Sequence, residues 1–205
     1  MAFLNQAALT ALREAVAGIE ARSAAELVIS VRGRSGSYLH ADLALGALAA
    51  IGTLAFLLFS PLPFALIWFL VDPLLVGGLV ALAASRLPPV RRALTPRSAR
   101  EARVRVAAEA TFYERGVHHT RERTGVLLYV SLLERRAVLL PDTGVSAAVP
   151  RREWGSAAAA VQRAMDERGD GAALAGALAP LGDLLALHLP RRPDDMNELP
   201  DEVDR

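Results

Sequence analysis

The chain has 205 residues, is 53% hydrophobic and carries a formal net charge of +1, a balance that offers no electrostatic basis for general nucleic-acid binding. All 23 basic residues are arginine and cysteine is absent, which excludes disulfides, thiolate metal sites and a cysteine nucleophile. Mean hydropathy is +0.29, but the apolar excess lies in one block, residues 43–85, where Asp72 is the single ionisable side chain; the other ~160 residues suffice for one soluble domain with a core.

Residues 1–6 lack the basic start and long apolar run of a signal peptide, so the first 40 residues are expected to stay where they are made. Over residues 5–22, Ala8, Leu12, Ala15, Val16 and Ile19 share one face of a helix. Residues 26–31 read as a strand with Leu27, Ile29 and Val31 on one side, broken by Gly33 and Gly36.

The apolar block follows. A helix needs about 20 apolar residues to cross a bilayer core. Ser60-Pro61-Leu62-Pro63 is a helix breaker that leaves about 17 apolar residues before it and about 22 after. Two spans joined by a tight turn are expected. Arg32 and Arg34 precede the block, Arg86, Arg91, Arg92, Arg97 and Arg100 follow it, and the turn is uncharged. Flanking arginines stay inside, so both flanks are assigned to the cytoplasmic side. Asp72 reads either as an intramembrane polar site or as a protonated or interfacial acid, because a carboxylate at the bilayer centre costs about 2.5–3.5 kcal/mol. Gly77, Ala81 and Ser85 form a small-residue stripe at spacing four, with Gly46 and Ala50 a shorter one. Such stripes serve packing within the hairpin or contacts between copies.

Beyond the block, residues 98–115 are predicted helical, with Val104, Ala107, Ala108, Thr111 and Phe112 on one face. Residues 124–131 form an apolar run that suits a strand covered on both faces. Residues 135–140 read as an antiparallel partner reached through a turn at Leu133-Glu134. Pro150 suits a helix start, and Trp154, Ala158, Val161 and Met165 line the helix that follows. Gly169-Asp170-Gly171 ends it. Leu174, Leu178, Leu181 and Leu185 mark a last helix, bent or restarted at Pro180. The tail, rich in Asp194, Asp195, Glu198, Asp201, Glu202 and Asp204, reads as solvated, with docking on arginines of its own domain or on a basic partner as the alternative. A lone strand before the hairpin has no sheet of its own. The simplest arrangement is one α/β domain, built from residues 1–37 and 93–190, into which residues 38–92 insert as a transmembrane helical hairpin, with residues 191–205 as an acidic tail.

At this point the chain resembles a TPM domain, a family of thylakoid and bacterial proteins often labelled as phosphatases. The resemblance rests on Ala25-Glu26-Leu27-Val28-Ile29, on the run from Thr120 through Gly125 and Ser131 to Glu134-Arg135, and on Asp142-Thr143-Gly144-Val145. Trp154, Gly169-Asp170-Gly171, Leu187-His188-Leu189-Pro190 and the tail Asn197-Glu198-Leu199-Pro200-Asp201-Glu202-Val203 follow in the family's order. It covers about three quarters of the chain. The departure is the hairpin after the first strand, as in a membrane-inserted subgroup. The resemblance implies a TPM-like α/β/α sandwich, and with the two spans and their flanking arginines the expectation is a bacterial inner-membrane protein with both termini cytoplasmic. It also implies calcium as the cofactor to consider, since some members bind it.

The residues lend the phosphatase label little support. Neither an Asp-x-Asp pair nor a Gly-rich phosphate loop ending in Lys-Ser or Lys-Thr is present. A metal-assisted hydrolase needs converging carboxylates or histidines; Glu26, Glu134 and Asp142 are the candidates, and acidic loops suit a hard cation such as calcium. Against this stands a simpler role for Glu134 and Asp142, making turns and pairing with Arg135 or Arg136. His118-His119 are adjacent and do not face one another on a helix. The run from Asp166 to Gly171 falls short of a calcium loop, with Arg168 at a ligand position and Ala177 where a glutamate is needed. The leading expectation is a membrane-anchored binding or support module for a membrane protein assembly. A membrane-bound phosphatase or metal-dependent hydrolase, and a calcium-responsive module, are the alternatives.

Overall fold

A computed structural model describes residues 3–192, 198–199 and 203–204. Of the residues invoked above, Met1, Ala2, Asp194, Asp195, Asn197, Pro200, Asp201 and Glu202 lie outside it. The chain divides into two compact units, one of residues 1–35 and 101–205 and the other of residues 36–100.

The first unit is mixed α/β. Helix α1 (Gln6–Glu20) is capped by Asn5, whose side chain accepts a 2.7 Å hydrogen bond from the Ala8 amide. Strand β1 (Glu26–Arg32) pairs in parallel with β2 (Gly125–Ser131), which pairs antiparallel with β3 (Arg136–Pro141). The order is β1-β2-β3. Every residue of β2 is buried, as its unbroken apolar run predicts for a central strand. The two faces of the sheet pack separately. Leu27, Ile29, Val31, Val126, Leu128 and Val130 meet side chains of α1, α7 (Arg151–Glu167) and α8 (Gly171–His188). Val28, Leu127 and Tyr129 meet Val104, Ala108 and Phe112 of α5 (Arg97–Glu114) and Val117 of a 3-10 turn.

Pro180 sits inside α8, which is one continuous helix, and Leu174, Leu178, Leu181 and Leu185 are all fully buried. Pro150 is the residue before α7 and not its first turn. Gly169 adopts φ 61° between the two helices, a conformation glycine takes without a Cβ penalty.

The second unit holds α2 (Leu39–Phe59), α3 (Trp68–Ser85) and the short α4 (Pro88–Leu94). Helices α2 and α3 pack antiparallel through small residues. A Cβ on Gly46 would lie 2.6 Å from the Gly77 carbonyl oxygen, and one on Gly77 would lie 2.8 Å from that of Gly46. The two small-residue stripes therefore face each other inside the hairpin, while Ser85 leaves the seam and bonds the Leu82 carbonyl at 2.7 Å. The outer surface is apolar, with Leu48 65% and Leu74 67% exposed.

Candidate functional site

The carboxylates singled out by the sequence lie at opposite ends of the sheet. Glu26 opens β1 opposite Gly125, and Asp142 follows β3 with its amide on the Gly125 carbonyl at 2.8 Å. These two flank β2 from either side, two strand spacings or roughly 10 Å apart. Glu134 lies in the turn after β2, at the far end of that seven-residue strand, about 20 Å away along the sheet. Among the described residues no group of three or more His, Asp or Glu converges. The proposed trio of Glu26, Glu134 and Asp142 is thus split by strand geometry. As a set it does not fit calcium, which takes six to eight oxygens.

Each of the three has partners of its own. The Asp142 side chain caps α6 (Thr143–Ala148), accepting from the Thr143 amide at 2.7 Å. Its other oxygen is buried without a hydrogen bond, 3.8 Å from the Arg123 guanidinium. Glu26 accepts from the Leu199 amide at 3.4 Å. Glu134 is 2% exposed and accepts from the Ser35 amide at 3.1 Å and from the Ser131 hydroxyl. The expected pairing with Arg135 or Arg136 does not occur: Arg135 donates to the Asp166 carbonyl and Arg136 pairs with Glu101. Arg135 adopts φ 53°.

A largely buried polar cluster surrounds Glu134. The Ser35 hydroxyl donates to Ser131 Oγ at 2.7 Å and shares a 3.0 Å hydrogen bond with the Tyr129 hydroxyl. Burial pushes the Tyr129 phenol above its usual range; the Ser35 hydrogen bond opposes that, and the charge of Glu134 adds to it. Sequence reasoning named Glu134 but missed Ser35 and Tyr129, because a serine after a glycine break and a tyrosine in an apolar run carry no pairing signal. The cluster fastens the segment after β1 to the β2–β3 turn. Its hydrogen bonds make it a clasp between those two segments.

In the second unit Asp42, in the first turn of α2, is 3% exposed. Arg91 of α4 grips it in a fork, Nε to Oδ1 at 3.0 Å and Nη2 to Oδ2 at 2.6 Å. The hydrogen bond to Asp42 raises the Arg91 pKa and burial works against it, so Arg91 stays charged throughout. Asp72 falls in the second turn of α3, only about 6 Å along the axis from Trp68. It sits near the tip end of the helix and not at its centre, because α3 begins at Trp68 and not directly after Pro63. His118 and His119 form part of the 3-10 turn, and the His118 ring lies 5.0 Å from that of Tyr113.

No family model and no curated protein matches the chain. Among solved structures it is similar to the NMR structure of BA42 protein from the psychrophilic bacteria Bizionia argentinensis sp. nov. The TM-score is 0.60 over 98% of this chain and 94% of that chain, at 17% identity. At that identity the likeness shows the fold alone. The mixed α/β architecture therefore has a solved counterpart, and the chemistry of this chain rests on its own residues.

Proposed function

We propose that this protein is a membrane-anchored TPM-like α/β/α domain that faces the cytoplasm and serves as a binding or support module for a membrane protein assembly. The observation that carries this reading is the pair α2 and α3. Among the described residues, three helices could cross a membrane by length and composition, namely α2, α3 and α8. They differ in what covers them: 17% of the apolar window is buried in each of α2 and α3, against 39% in α8, which buries its leucines against the sheet. Helices whose leucines face outward and whose glycines face each other suit a lipid solvent. Trp68 at the tip and the arginines after α3 suit the two interfaces. The clasp around Glu134, which ties the segment after β1 to the β2–β3 turn, suits a support role.

Reporter fusions at residues 35, 62 and 205 test this reading. They are expected to read inside, outside and inside. Residues 35 and 205 on opposite sides would overturn it.

A further inference from the structure

The outer edge of β1 is not bare. Val203 packs against the core face shared with α1 and α8, and Asp204 bridges in parallel to Ser30. The Val31 amide donates to the Asp204 carbonyl at 2.8 Å, and the Asp204 amide donates to the Ile29 carbonyl at 2.9 Å. The Asp204 carboxylate accepts from the Ser30 hydroxyl at 3.1 Å and from Arg32 at 2.8 Å, and it pairs with Arg115 at the end of α5. Successive side chains thus point to opposite faces of the sheet, as in any added strand. Farther back, Leu199 packs against the other core face, and Glu198 accepts from the Arg121 amide at 2.7 Å.

This is the geometry of peptide recognition by strand addition. Main-chain hydrogen bonds supply affinity, while alternate side chains read an aliphatic seat on one face and a two-arginine acid seat on the other. We infer that the edge of β1, with Ser30, Arg32 and Arg115, is a docking site for an extended acidic segment of a partner protein carrying an aliphatic residue followed by aspartate. The chain's own Val203-Asp204 holds the site in cis until that partner displaces it. Charge complementarity selects the occupant, because Arg32 and Arg115 converge on one carboxylate whose side chain is 15% exposed. The inference stands apart from the membrane reading, since every residue it uses belongs to the first unit.

The test uses the full chain in detergent and a labelled peptide with the sequence of residues 198–204. Wild type is expected to bind weakly. Asp204→Ala, which weakens the cis occupant, is expected to bind at least about tenfold more tightly, and adding Arg32→Ala with Arg115→Ala is expected to abolish the gain. Equal binding by wild type and Asp204→Ala, or a gain that survives loss of both arginines, would overturn the inference. Hydrogen exchange on wild type keeps the test independent of how the variants fold. Excess peptide should expose the Asp204 amide while the Val31 amide stays protected. If the Asp204 amide stays protected, if the Val31 amide is exposed with it, or if the tail proves to be exchanged between two copies in a dimer, the partner site falls.

Discussion

Tyr129 is one of three tyrosines in a chain that has no lysine, so alkaline titration above pH 9 reports almost entirely on phenols. Its pKa is raised in the folded state, first by burial, so the folded protein keeps a proton that the unfolded chain releases near pH 10. The stabilisation is complete below the unfolded value and is lost as pH rises past it. Thermal melts are expected to show stability falling from about pH 10 upward, with a flatter profile in Tyr129→Phe; parallel profiles would place the loss elsewhere. Asp142 makes a different prediction. As the cap of α6 it should tolerate Asn, an equally good cap, while Asp142→Ala costs about 1 kcal/mol in chemical denaturation. At this scale the sequence was half readable. Glu26, Glu134 and Asp142 were visible as acids near strand ends, but which end each occupies depends on strand direction, and one parallel and one antiparallel pairing send Glu134 away from the other two.

At the scale of elements, the strands and the long helices were legible from periodicity alone, because β2 is apolar throughout and α5 repeats Val104, Ala108, Thr111 and Phe112 on one face. Helix α4 was not. Its seven residues, PPVRRAL, have no apolar repeat, and its purpose emerges only from Arg91 reaching a carboxylate 49 residues earlier. Asp42 itself escaped notice as a polar residue just outside the apolar block. Removing one partner of a buried pair leaves an unmet charge, at a cost of about 3–5 kcal/mol. Arg91→Ala is therefore expected to destabilise the hairpin by that order, and Asp42→Ala with Arg91→Ala to recover much of it. Unfolding in detergent, followed by proteolysis, measures the cycle. Additive losses would mean the fork contributes nothing.

On the scale of the whole molecule, the expected insertion boundaries of 38–92 compare with a compact unit of residues 36–100, which also takes in the first residues of α5. The expectation rests on a single strand before an apolar block having to find its sheet after it. Replacing residues 36–100 with a Gly/Ser linker of about 15 residues, which reaches roughly 20 Å on average, is expected to yield a soluble domain with native-like circular dichroism and cooperative melting. An aggregated product, while the full chain folds in detergent, would sink the two-unit view.

The Asp42–Arg91 fork also bears on the order of events as the chain is made. Strand β1 leaves the ribosome about 100 residues before the strand it pairs with, and its apolar side chains must wait that long. Closing so wide a loop from a random coil is entropically costly and slow. Once α2 and α3 meet at their glycines and Arg91 grips Asp42, the beginning and the end of the insert are tied together. The search that remains is then set by a tether about half as long, a saving of about 0.6 kcal/mol in closure free energy. The hairpin thus gives the two halves of the sheet a modest head start in finding each other once Arg91 has been made.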